Sequence, residues 1–178
     1  KLEFAEVTLQ EMAMLPGETN PTANLVICNL LFIQHLDESP SSIWSATGIY
    51  NNNEYVKKHM VDFSKISYNL PQNDQGLQNY PLSNAFDNNP SSYYIPSSSF
   101  QNIIEVVFDT TVSLDAFLYD LAFVDEPNRV FHGFPKIVNV YAASGSDSYQ
   151  LITFFYGTSV HWLTRVQFVF PQIVTCDK

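Results

Sequence analysis

The chain has 178 residues, of which 46% are hydrophobic and 15% aromatic, so it is long enough to bury a sizeable core. Its net charge is −10, with only eight Lys and Arg in total. This balance argues against nucleic acid and anionic membranes as partners, because few cations are available to meet phosphates. An acidic surface suits neutral glycans, calcium or basic proteins better.

The first third of the chain predicts two strands and one short helical turn. An apolar stretch over 25–33, interrupted by Cys28 and Asn29, is much shorter than the ~20 residues that a membrane-spanning helix needs. We therefore interpret it as a buried strand within 23–34. The other elements predicted here are a strand over 42–50 and a helical turn over 55–61.

Alternation of apolar residues predicts strands in the rest of the chain. Ile104, Val106 and Phe108 recur with the period of two that is typical of a strand, and the segments 137–142 and 165–170 show the same period. Clusters of Pro, Asn, Ser and Gly separate these runs. The spacing indicates an all-β protein, either an antiparallel β-sandwich or a jelly roll.

The segment 84–94 combines turn-forming residues with oxygen-bearing side chains. Asp87 offers a carboxylate, Asn89 an amide oxygen and Ser92 a hydroxyl within one tight loop. Hard oxygen ligands of this kind suit calcium. The alternative is an Asx turn whose side chains satisfy only local backbone amides, since one carboxylate makes a weak calcium site by itself.

The same segment resembles the opening signature of the discoidin family, also called coagulation factor 5/8 type C or galactose-binding-like domains, which includes family 32 carbohydrate-binding modules. The signature reads Asn-Ala-x-Asp-Gly-Asn-x-x-Thr-x-Trp, and here Asn88 replaces the glycine, Ser92 the threonine and Tyr94 the tryptophan. Further along, 103–109 is similar to the family's Trp-Ile-Glu-Val-Asp-Leu-Gly strand, and 133–144 resembles its Gly-x-Pro-Lys-x-x-x-Val-x-x-Ser segment. The likeness covers residues 62–178.

This resemblance implies a jelly-roll sandwich with a calcium ion. The ligands would come from the turn at 84–94 and from a glutamate of the family's closing strand. The corresponding positions are Ala85, Asp87, Asn89, Ser92 and Glu6. In the relatives this turn lies away from the loops that bind sugars, so the resemblance implies that the ion is structural.

The resemblance also implies a sugar site on the loops at one rim, where an aromatic ring stacks on the sugar and polar side chains bind its hydroxyls. The candidate ligand-binding residues are Asn128, Arg129, Phe131 and His132 in one loop and Trp162 in another. The family's binding arginine usually follows a strand directly, where this chain has Ala122 and Phe123, so galactose specificity is not implied. For Trp162 and for Tyr94, a place in the core is the alternative.

Two alternatives remain for the domain organisation. Residues 62–178 are expected to form the discoidin-like sandwich without its closing strand, whereas residues 1–9 resemble that closing strand. Residues 1–61 therefore hold additional strands that either end a preceding module or form part of a composite sandwich. The pairing of Cys28 and Cys176 also has two alternatives. Discoidin domains often join their terminal regions by a disulfide, but two buried thiols that never meet are equally compatible with the sequence.

The sequence favours binding over catalysis. It contains no Gly-x-Ser-x-Gly elbow, no His-Glu-x-x-His helix and no phosphate-cradling glycine loop. The first function class is a calcium-stabilised carbohydrate-binding module, extracellular or at a cell surface, that attaches a larger protein to glycans. The alternative is a protein-interaction or adhesion domain of the same fold, which needs no sugar.

Overall fold

Two antiparallel β-sheets form the framework of the protein, and the expectation of an all-β sandwich is confirmed. The computed structural model describes residues 1–8, 25–36, 48–69, 76–77, 79–96, 102–121, 134–156 and 165–178. The strands are β1 (Leu2–Thr8), β2 (Asn29–Gln34), β3 (Ile66–Asn69), β4 (Gly76–Leu77), β5 (Tyr80–Pro81), β6 (Asn102–Phe108), β7 (Val112–Asp120), β8 (Phe134–Ala142), β9 (Gln150–Tyr156) and β10 (Arg165–Cys176). The helical elements with both bounds inside the described residues are helix α1 (Asn53–His59) and two 3-10 turns, Phe63–Lys65 and Leu82–Phe86.

The larger sheet has five strands in the order β3-β6-β1-β8-β9, and the smaller has three in the order β10-β7-β2. The short strands β4 and β5 pair only with each other among the described residues. No helix in the described ranges is long and apolar enough to cross a membrane.

β1 lies in the middle of the larger sheet. Leu2 pairs with Ile104 of β6 on one side, and Phe4 pairs with Val138 of β8 on the other. β2 forms an edge of the smaller sheet, so the first 61 residues contribute a strand to each sheet. The described strands before residue 61 thus pair with strands after it in both sheets, and the division of the chain at residue 61 stays a prediction.

The core between the sheets is aromatic. Phe117 of β7 is buried, and its ring stacks on that of Phe168 of β10 with 4.5 Å between centroids. Phe4 of β1 meets Tyr119 edge to face at 6.1 Å, so the central strands of the two sheets are in direct contact. Burial of these rings from water is the main stabilising contribution, at roughly 25 cal/mol per Å² of apolar surface.

Helix α1 covers the other face of the smaller sheet. Val56 of the helix and Tyr50 before it pack on Leu31 of β2 and Leu118 of β7. Because β7 is buried on both faces, its residues 116–119 form a continuous apolar run instead of alternating. The helix begins where the Asn52 side chain accepts hydrogen bonds from the next backbone amides, which is a standard N-cap.

The predicted helical turn over 55–61 thus corresponds to α1, which starts two residues earlier. The strand predicted over 42–50 is wrong at its end, since residues 48–49 are helical, and residues 42–47 lie outside the described part of the chain. Apolar periodicity misassigned this end because Ile49 and Tyr50 pack against a sheet from outside without joining it.

One end of the sandwich, here called the upper end, is defined by Asn29, Asp120 and Arg165. These residues pair across the three strands of the smaller sheet, with Asp120 in the middle. The last residues of β8 lie at the opposite end, because the amide of Ala143, just after β8, donates to the carbonyl of Lys178, two residues after Cys176, which pairs with Val112 at the start of β7. β8 therefore begins, and its antiparallel neighbour β9 ends, at the upper end. The residues that flank the segments 122–133 and 157–164 therefore all lie at the upper end.

The two cysteines lie at opposite ends of β7. The Cys28 amide donates to the carbonyl of Asp120, whereas Cys176 pairs with Val112. The eight residue steps between these ends span roughly 26 Å at the usual strand rise, while a disulfide needs Cα atoms within about 7 Å. Both cysteines are buried free thiols, and burial raises the pKa of Cys28 to about 12, so it stays protonated at neutral pH.

Candidate functional site

The turn after Leu82–Phe86 is held by its own side chains. Asp87 accepts hydrogen bonds from the Asn89 amide at 2.9 Å and from the Ser92 hydroxyl at 2.6 Å. The Asn89 side chain in turn accepts from the Ser91 amide at 3.0 Å. Asn88 takes a left-handed backbone conformation with φ of 55°, which asparagine tolerates better than most residues. The local Asx network proposed as the alternative to a metal site is therefore formed.

Three of the five predicted calcium ligands, Asp87, Asn89 and Ser92, are together in this turn. Ala85 is buried at the end of the preceding 3-10 turn, and the Glu6 side chain lies outside the described residues. The described residues contain no cluster of three or more His, Cys, Asp or Glu that could hold a metal. A carboxylate oxygen can accept a second contact, so the turn is compatible with calcium, and the ion stays a prediction.

The turn lies at the upper end of the sandwich. The Cys28 thiol donates to the carbonyl of Asn89 with 3.7 Å between the heavy atoms, and Pro90 borders a cleft that also contacts Leu121 and Arg165. The resemblance implied a turn remote from the sugar-binding loops. In this structure the turn borders the same cleft as Leu121, the last described residue before the segment 122–133.

The cleft at the upper end has a volume of about 240 Å³. Its wall is formed by polar groups from four different parts of the chain: the start of β2, the end of β7, the start of β10 and the region of α1. The polar lining residues are Asn29, Asn51, Asn53, Asp120 and Arg165. Amide groups both donate and accept hydrogen bonds, so this wall can bind a polar, hydroxyl-bearing ligand.

A paired arginine fixes one side of the cleft. Nε and Nη2 of Arg165 contact the two carboxylate oxygens of Asp120 at 2.5 and 3.0 Å, which is the bidentate geometry that arginine favours. Nη1 donates to the carbonyl of Tyr50 at 3.2 Å and to the side chain of Asn53 at 3.3 Å. The side chain therefore ties the smaller sheet to the residues that precede and begin α1.

Asn29 is the least satisfied polar side chain of the cleft. Only 4% of the residue is exposed; its Nδ2 donates to the Cys28 sulfur at 3.4 Å. Its Oδ1 is buried and has no hydrogen-bond partner among the described residues. A buried acceptor left in this way costs about 1 to 3 kcal/mol. In the sequence, Asn29 was visible only as an interruption of an apolar stretch.

All five predicted sugar-binding residues lie outside the described residues: Asn128, Arg129, Phe131, His132 and Trp162. Their segments nevertheless connect to residues of the cleft, because 122–133 follows Leu121 and 157–164 precedes Arg165. Tyr94 is fully buried and pairs its backbone with Ile27, which supports the core role offered as its alternative. Sequence reasoning missed Asn29, Asp120 and Arg165 as a group, since they become neighbours only through strand pairing.

A scan against protein-family models found no match to this chain. Searches of curated proteins and of solved structures likewise found none. The fold and the cleft thus define the class of protein, an antiparallel β-sandwich with a polar cleft at one end. Membership of the discoidin family stays a prediction from the sequence motifs.

Proposed function

We propose that this chain is a non-catalytic carbohydrate-binding module that attaches a larger, extracellular or cell-surface protein to glycans. The observation that carries the proposal is the polar cleft at the upper end, lined by Asn29, Asp120 and Arg165. Sugars expose many hydroxyl groups that need donors and acceptors in fixed positions, which amides and charged side chains supply.

The connections of the cleft give further support. The segment that holds Arg129, Phe131 and His132 starts directly after Leu121, a lining residue, and the segment that holds Trp162 ends directly before Arg165. In this proposal, the aromatic, basic and amide side chains of these segments add a stacking surface and further donors to those of the cleft. The net charge of −10 favours neutral over anionic glycans.

Binding to a glycan array tests the proposal. The chain is expected to bind a restricted set of glycans in calcium buffer, and an Arg129→Ala and His132→Ala double variant is expected to lose at least about tenfold in affinity. A double variant that binds normally would keep the function and remove these two residues from it. An array on which the native chain binds nothing would contradict the proposal.

Calcium is a separate part of the proposal, with Asp87 as its central ligand. If the turn binds the ion, chelation by EDTA should lower the melting temperature by about 5 to 10 °C, because saturating calcium stabilises the native state by about 2.7 kcal/mol at a hundredfold excess over Kd. Asp87→Ala should abolish this response, as measured by differential scanning fluorimetry with and without EDTA.

The matched control is Asp62→Ala. Asp62 also accepts a backbone hydrogen bond two residues ahead, from Ser64 at 2.8 Å, but in a turn with no proposed metal role. This variant should keep the full EDTA response. A melting temperature of the native chain that EDTA leaves unchanged would show that the Asx turn has no ion to lose.

The alternative function, protein interaction or adhesion, is favoured by one feature of the larger sheet. Leu151, Phe154 and Tyr156 of the edge strand β9 are 55%, 51% and 67% exposed, and the two rings contact each other with 5.4 Å between centroids. The strand carries no charged residue or proline, the usual protection of an edge against pairing with another chain. A blank glycan array together with binding of a partner protein that Phe154→Lys abolishes would favour this function.

A further inference from the structure

The charges in the cleft are already matched within the protein. Arg165 makes a bidentate pair with Asp120, and its Nη1 is bonded to Tyr50 and Asn53. Four contacts thus involve all three guanidinium nitrogens, and the positive charge is neutralised by the partner carboxylate. An anionic ligand could pair with Arg165 only if the ion pair between Arg165 and Asp120 broke. The new ion pair would at best offset the loss of the old one.

The nearby charge also disfavours anions. Asp87 lies close enough to the cleft that, together with Asp120, it raises the pKa of the Cys28 thiol beyond the effect of burial. Among the described residues, Arg165 acts on this thiol in the opposite direction and lowers its pKa. The described wall of the cleft therefore has no surplus positive charge with which to attract a carboxylate, sulfate or phosphate.

Asn29 supplies what a neutral ligand needs. It lines the cleft, it is more than nine-tenths buried, and its Oδ1 lacks a donor among the described residues. The Oδ1 itself is covered, so a ligand hydroxyl in the cleft reaches it once the Asn29 amide turns toward the cleft, and the hydroxyl then provides the donor without bringing a charge. Because a buried unpaired acceptor is costly, a site built this way gains most from a ligand that pairs it.

We propose that the cleft binds an uncharged pyranose, and that Asn29 determines this selectivity by accepting a hydrogen bond from a sugar hydroxyl. The Arg165 and Asp120 pair forms a fixed, neutral wall that orients the sugar and excludes acidic sugars. The inference rests on the proposed carbohydrate-binding function and narrows it to neutral sugars and to a residue outside the loops implied by the sequence.

The test is a calorimetric titration with matched pairs of glycosides. Methyl glucoside and methyl galactoside are compared with the methyl glycosides of glucuronic acid and galacturonic acid. Each acidic glycoside, or uronide, differs from its neutral partner only by a carboxylate at C6 in place of the hydroxymethyl group. At least one neutral glycoside should bind, its uronide should bind at least about tenfold more weakly, and raising NaCl from about 0.05 to 0.5 M should leave the neutral affinity unchanged. A uronide that binds as tightly as its neutral partner would overturn the selectivity.

Variants locate the contact. Asn29→Ala should lower the affinity for the neutral glycoside about tenfold, whereas Asn139→Ala, the same change on the outer face of β8, should not alter it. If Asn29→Ala fails to fold, the side-chain amide signal of Asn29 in the native chain is followed by NMR and should shift on titration. An unshifted signal, or normal affinity of a folded Asn29→Ala, would overturn the role of Asn29.

These outcomes separate the two proposals. If Asn29→Ala binds normally while the Arg129→Ala and His132→Ala double variant does not, carbohydrate binding stands and the inference about Asn29 is wrong. If neither the neutral nor the acidic glycosides bind and the glycan array is blank, the proposed function itself is contradicted.

Discussion

Removal of residues 1–8 is expected to abolish cooperative folding of the chain. β1 lies between β6 and β8, so its loss would leave two strands of the larger sheet without a common neighbour. It would also remove Leu2 and Phe4 from the core, where both are buried. Truncations of one buried Leu or Phe side chain cost about 2 to 5 kcal/mol each, against a total stability of about 5 to 15 kcal/mol.

Circular dichroism during urea and thermal unfolding measures this effect. The truncated chain should show no cooperative transition, whereas the full chain should show one. Glu3→Ala is the control, because Glu3 lies in the same strand, and its carboxylate bonds to Tyr141 at 2.9 Å and Asn139 at 3.2 Å, both neighbours on β8. That variant should still unfold cooperatively. A truncated chain with the transition of the full chain would contradict the central place of β1.

Phe117→Ala is expected to destabilise the protein by about 3 to 5 kcal/mol, the second largest effect. The ring is fully buried in the middle of β7 and contacts Phe168, Phe155, Phe170 and Phe32 within 6.4 Å between centroids. Both sheets supply these neighbours, so they cannot close over the cavity without disturbing the packing between sheets. The free energy of unfolding from urea titration gives the measurement.

Phe154→Ala is the matched control for this prediction. It makes the same chemical change on β9, but Phe154 is 51% exposed and contacts Tyr156 on the outer face. Its cost should stay below about 1 kcal/mol, because little buried surface is lost and no enclosed cavity forms. Equal effects of the two variants would show that Phe117 is not at the centre of the core.

The sequence predicted several strands close to their true positions. The segments 103–109, 137–142 and 165–170 correspond to β6, β8 and the first half of β10, because their period of two matches one buried and one outer face. The second half of β10 continues past Pro171, where periodicity alone indicates an end. The register shifts there, between Val169 and Val174, and such an irregularity accommodates a proline that cannot donate a hydrogen bond.

β9 was not predicted, for a related reason. In the sequence 150–156 the apolar residues do not alternate, since Phe154, Phe155 and Tyr156 follow one another. The ring of Phe155 packs into the core while its two neighbours face outward, and a register shift before Thr153 changes which residues point inward. A window of apolar residues cannot show which face is covered, because that depends on the other sheet.

The sequence by itself determined the all-β class and the presence of a turn at 84–94, since both depend on residues that are neighbours in the chain. The tertiary structure alone decided that β1 lies between β6 and β8, and that Asn29, Asp120 and Arg165 meet across three strands. The physical reason is that a strand's alternation specifies which face it buries but not which strand lies beside it. That choice is made by packing between segments that are far apart in sequence, and it is what forms the cleft.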